Sequence, residues 1–100
     1  MITITAVIRV KPGHEAAMRA GLLECAAYVA ANEPATVGYC ISQSADEPTL
    51  FTTYERFVDR AAMDRHNGSP AVAKLIAATR DILAEPFAVH VGTELSALQR

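Results

Sequence analysis

The stretch Tyr54–His66, YERFVDRAAMDRH, carries two side chains that could exchange a proton. Glu55 stands in a strand-like run between aromatic residues, and His66 closes a helix-like run on its apolar side. A carboxylate and an imidazole on adjacent elements can do general acid–base work. The imidazole titrates at ~6.5 when unperturbed, and a carboxylate can orient it or stabilise its protonated form. The same pair fits a plainer role. A carboxylate among aromatics loses hydration and needs a partner, which Arg56, Arg9 or a second subunit could supply. A lone histidine on an apolar face is often a satisfied core group. The residue types leave both readings open.

Strand alternation over Thr49–Val58 puts Phe51, Thr53, Glu55 and Phe57 on one face. Asp59 can cap the helix that follows, where Ala62, Met63 and His66 share a side. The turn between the two runs is short enough to lay one over the other. A cavity shared by Glu55 and His66, between the sheet and the C-terminal helices, is therefore expected. Tyr39, Phe51, Phe57, Met63 and Asn67 are the candidate ligand contacts, Tyr39 to hold a substrate oxygen. Asn67 also reads as a helix terminator. Tyr54 reads as a core aromatic with its hydroxyl at the edge. His90 shares a small-residue face with Ala88 and Gly92 and belongs either to the pocket or to a subunit seam.

The elements that must position these groups follow from periodicity and breakers. Ile2–Val10 alternates as a strand, with Ile2, Ile4, Ala6, Ile8 and Val10 on one face, and Lys11–Gly13 ends it. From His14 to Asn32 the period is helical, with Met18, Leu22, Cys25 and Val29 in register and Gly21 suited to close packing on the sheet. Pro34 stops that helix. Thr36–Ser44 is a second strand with Val37, Tyr39 and Ile41 on one face, and the turn at Ala45–Pro48 makes it a hairpin with the third. Ser69 caps a last helix with Pro70 in its first turn. That helix shows the apolar stripe Val72, Leu75, Ile76, Thr79, Ile82 and Leu83 up to Glu85–Pro86, and Phe87–Leu95 is the final strand. The order β-α-β-β-α-α-β predicts an α+β fold in one domain over 1–100, a four-stranded antiparallel sheet in the ferredoxin-like arrangement. Its helices can cover one face only. The first strand carries apolar groups on both, so a second copy is expected on the open face, giving a homodimer.

Of the 100 residues, 51% are hydrophobic and 20% charged, which suits a folded protein. The formal charge of −2 is scattered and no basic block exists, so nucleic-acid binding is not expected. No apolar run reaches the ~20 residues of a membrane span. The opening residues lack the charged leader of an export signal, so a cytoplasmic protein with reduced Cys25 and Cys40 is expected. The histidines and acids show no tight ligand spacing and no glycine-rich phosphate loop is present, so neither metal nor nucleotide cofactor is expected.

The segments VKPG, NEPATVGY, FTTYERFVDRAAMDRH and GSP, in this order and spacing, resemble the antibiotic biosynthesis monooxygenase (ABM) domain over nearly the whole chain. Departures are Ala35 where a glycine often follows EP, Phe57 in place of a frequent tryptophan, and Ala71 in place of a histidine after SP. The resemblance implies ferredoxin-like chains paired sheet to sheet as a dimeric α/β barrel. It covers cofactor-free oxygenases of quinols and polyphenols, haem-degrading enzymes and a sugar-phosphate isomerase, so it implies fold more firmly than chemistry. Haem degraders use a tryptophan and a first-strand asparagine that this chain lacks. The expected function is a cofactor-independent monooxygenase acting on a small quinol-like aromatic, with His66 as base and Glu55 as its partner. The alternatives are a non-catalytic small-molecule-binding dimer module, favoured by the missing tryptophan and histidine, and an isomerase of a small oxo-compound.

Overall fold

The computed structural model describes residues 1–100. It contains strand β1 (Ile2–Arg9), helix α1 (Glu15–Asn32), strands β2 (Thr36–Gln43) and β3 (Leu50–Phe57), helices α2 (Arg60–Asn67) and α3 (Pro70–Thr79), a 3-10 turn at Arg80–Ile82, and strand β4 (Ala88–Thr93). All strand pairs are antiparallel, in the order β2-β3-β1-β4. This is the ferredoxin-like α+β arrangement read from the sequence.

The caps form where the side chains call for them. Asp59 accepts from the Ala62 amide at 2.8 Å, and Ser69 from the Val72 amide at 3.2 Å. These bonds satisfy backbone donors that the first helical turn leaves free. The two caps fix where α2 begins and where α3 takes over, and so fix which way His66 points.

The inward residues of β1 and β3 pack under the helices as expected, but the core is in two parts. Phe51 joins Ile8, Val10, Met18, Leu22, Cys25, Val29 and Leu75, while Phe57 joins Ile4, Ala6, Ala62 and Met63. Leu22, Ile8 and Leu75 from the first part and Ile4 and Ala6 from the second all line one cavity, which divides them.

Three local expectations need correction. Val37 does not share a face with Tyr39 and Ile41. The β2–β3 register slips between Thr36 and Gly38, so Val37 is the extra residue of a bulge and is 44% exposed. The last helix does not reach Glu85. It ends at Thr79, whose hydroxyl donates back to the Leu75 carbonyl, and Leu83 leaves to pair with Val10. The pairing is closed by Lys11 N–H to the Ile82 carbonyl and Ala84 N–H to that of Arg9, which a continued helix could not offer. Gly21 packs on α3 and not on the sheet: a Cβ there would stand 3.1 Å from a Leu75 methyl. No helix is long and apolar enough to cross a membrane.

Candidate active site

The cavity lies between the sheet and the helices, with a volume of about 280 Å³. Its walls are mostly aliphatic, from Ile4, Ala6, Ile8, Leu22, Val72, Leu75, Ile76 and Val89, with Phe87 and Tyr39. The polar groups are Thr53, Glu55, His66 and Asn67. It opens between α3 and β4. There Ile76 is 44% exposed, as is Val89 at 50%, although pairing with Ala6 sets Val89 on the helix side.

Glu55 and His66 are both buried and both line this cavity. Glu55 arrives by strand alternation on β3. His66 arrives on the inner side of α2, one turn past Ala62 and Met63, which pack beneath it. Oε2 of Glu55 accepts from the Thr53 hydroxyl at 2.7 Å. Oε1 lies 3.2 Å from Nε2 of His66, within ion-pair range but too poorly aligned for a hydrogen bond, so it has no donor. The other ring nitrogen, Nδ1, is 2.8 Å from Oε1 of Glu33. That oxygen also accepts from the Thr36 hydroxyl at 2.8 Å.

The imidazole is thus held between two carboxylates. Ionised carboxylates only accept, so each acid favours a proton on the ring nitrogen that faces it. Burial pushes the His66 imidazole down, but the carboxylates of Glu55 and Glu33 outweigh it and hold the group above the ordinary histidine value. The two acids face opposite edges of one ring and do not converge on a point. No group of three or more His, Cys, Asp or Glu side chains is arranged to hold a metal ion.

The other candidate contacts divide. Tyr39 and Asn67 line the cavity. The Tyr39 hydroxyl, expected to hold a substrate oxygen, donates to Cys25 Sγ at 3.5 Å, and burial followed by that bond pushes the phenol well up. Its ring lies 5.4 Å, centroid to centroid, from that of His66. Phe51, Phe57 and Met63 are core side chains that do not reach the cavity, because each is enclosed by its own cluster. Phe57 backs the His66 ring at 5.4 Å. Tyr54 and His90 are exposed and lie on the open face of the sheet, His90 opposite Thr5, so neither lines the cavity. Glu33 was not foreseen. The signal was there: an acid at the C-terminal end of a helix opposes the helix dipole, and so calls for another partner.

The sequence matches the family model for antibiotic biosynthesis monooxygenase over residues 1–78. The chain belongs to that family. Among solved structures, the family member described here is similar to Rv0793 from Mycobacterium tuberculosis. The TM-score is 0.88 at 28% identity, covering 98% of each chain. A candidate antibiotic biosynthesis monooxygenase from Nitrosomonas europaea gives 0.88 at 24% identity, over 96% of this chain and 100% of that one. PA3566 from Pseudomonas aeruginosa gives 0.85 at 23% identity, over 95% and 94%. The last two likenesses carry the fold alone. No curated protein matches the sequence significantly.

Proposed function

We propose that this ABM-family chain is a cofactor-independent monooxygenase that oxidises a small quinol or polyphenol with molecular oxygen. The observation that carries the reading is a buried acid–base pair, Glu55 with His66, at the polar end of an otherwise apolar cavity. A hydroxyl of the aromatic substrate is set against Oε1 of Glu55, the carboxylate oxygen that has no donor. Loss of that proton gives an electron-rich anion able to pass an electron to oxygen, and the aliphatic walls keep water from competing. Acceptance of the proton by Glu55 makes His66 the partner that shares it, a reversal of the roles expected from the sequence. The reason is that both ring nitrogens already face carboxylates.

The cavity is near the lower end of the ~300–1,000 Å³ usual for ligand pockets, which suits one or two fused rings. No lysine or arginine lines it, so a phosphate or carboxylate would enter without a counter-charge. This favours a neutral hydroxy-aromatic over a phosphorylated sugar. Oxygen uptake with a panel of quinols is the test. Product formed without oxygen consumption would point to isomerase chemistry. Tight binding with no product would point to a non-catalytic binding module.

The same reading includes a homodimer closed sheet to sheet in the cytoplasm. It is supported by helices confined to one face of the sheet and by Val7 and the half-exposed Tyr54 on the other. A monomer mass in light scattering at micromolar concentration would count against it.

A further inference from the structure

Beside the cavity lies a second hollow of about 500 Å³, between the C-terminal end of α1, the start of β2 and the α2–α3 junction. Glu33, Thr36, Arg65 and Ser69 are among its lining residues, and none of them lines the first cavity. His66 stands in the partition. Its Nε2 edge meets Glu55 on the cavity side, and its Nδ1 edge meets Glu33, 2.8 Å away, on the side of the hollow. Oε2 of Glu33 is buried without a donor. A carboxylate whose other contact is one threonine hydroxyl holds the imidazole as its main partner.

We propose that Glu33 is the positioning residue of this site: from the Nδ1 side it sets the imidazole edge against Glu55 and holds its charge there. The inference rests on the proposed oxidation for the substrate anion. The substrate O–H bond breaks and its proton bonds to Oε1 of Glu55. His66, held at Nδ1 by Glu33, keeps its own protons, so an imidazolium stands behind protonated Glu55 while the anion reacts. When the product has left, Glu55 yields the proton to water entering the cavity, and no other group has changed its protonation. The titratable and charged groups facing the ring and Glu33 are Glu55 from β3, Tyr39 from β2 with Cys25 of α1 behind it, and Tyr28 of α1 and Arg65 of α2 at the hollow.

The test compares Glu33→Gln, which keeps the shape and removes the charge, with wild type by oxygen uptake across pH and by NMR of the His66 ring. The expected result is a fall in kcat of at least about tenfold with KM nearly unchanged. The variant should also show a lower His66 pKa and a lost or shifted Nδ1–H resonance. Thr36→Val, which removes one donor to Glu33, should move both readouts the same way by less. In a His66→Ala background Glu33→Gln should have no further effect on kcat, whereas a purely structural residue would act additively. Unchanged kcat and pH profile in a folded Glu33→Gln protein would overturn the proposal. If no quinol is turned over even by wild type, the oxidation reading fails by itself and the NMR arm decides. A His66 titration unmoved by Glu33→Gln overturns the positioning role, and a lowered one upholds it.

Discussion

Consecutive residues of β3 build two carboxylate clusters on opposite faces of the sheet, and the clusters differ in what they leave unmet. On the open face, Glu94 just beyond β4 accepts from Arg56 Nε at 2.7 Å, from its Nη2 at 2.8 Å and from the Tyr54 hydroxyl at 3.0 Å. The Arg56 hydrogen bonds, with help from Tyr54, hold the Glu94 carboxyl below the usual carboxylate range, and the bond to Glu94 pushes the Tyr54 phenol up. That cluster is balanced in charge and both carboxylate oxygens are used. On the covered face, two acids share one imidazole and two of their four oxygens have no donor. Leaving buried polar groups unmet is costly, and native proteins seldom keep them without use. The satisfied cluster ties β4 to β3. The unsatisfied one is the place to look for chemistry.

The largest expected effect separates the clusters outright. His66→Ala should lower quinol oxidation by about 10²–10⁴-fold, the range for a lost acid–base group, with the circular dichroism of the folded chain retained. An activity within a few-fold of wild type would make the covered cluster structural after all. Phe57→Ala probes the floor under the same site. Phe57 is fully buried against Ala62 and Met63, so its truncation should cost about 3–5 kcal/mol in urea unfolding. A smaller effect comes with pH. Folded His66 titrates above its unfolded value of ~6.5. Its contribution to stability is therefore complete below that value and is lost as pH rises through the folded one. Thermal melts from about pH 6 to about pH 9 should decline more steeply for wild type than for His66→Gln, and parallel curves would show that the ring is not held by its acids. The smallest effect belongs to the open face. Glu94→Gln should leave turnover within about threefold, since this cluster lies on the face of the sheet opposite the cavity and shares no partner with it. A large loss of activity there would join the two faces functionally.

The backbone of this comparison was legible in the sequence because it depends on period and on caps. Alternation alone assigns Glu55 to one side of β3 and Tyr54 and Arg56 to the other. Asp59, Ser69 and Pro70 announce where α2 and α3 start, and the spacing of Ala62, Met63 and His66 turns the imidazole inward. The substrate contacts were less legible. Phe51, Phe57 and Met63 point inward as read, but inward residues either wall a cavity or fill the core beside it, and periodicity treats the two alike.

By itself the sequence determined the element order, the family, and the meeting of Glu55 with His66, since each rests on local pattern or on neighbouring elements joined by a short turn. Only the tertiary structure decided that His66 has a second acid. Glu33 lies 33 residues earlier, at the far end of another helix, and reaches Nδ1 because α1 crosses the sheet to deliver β2 beside β3. It also decided the bulge at Val37, which sets Thr36 on the inner side to hold Glu33, and the early end of α3, where Leu83 finds Val10. These contacts are made between segments distant in the chain. Their energies depend on which surfaces meet, and no local propensity encodes that.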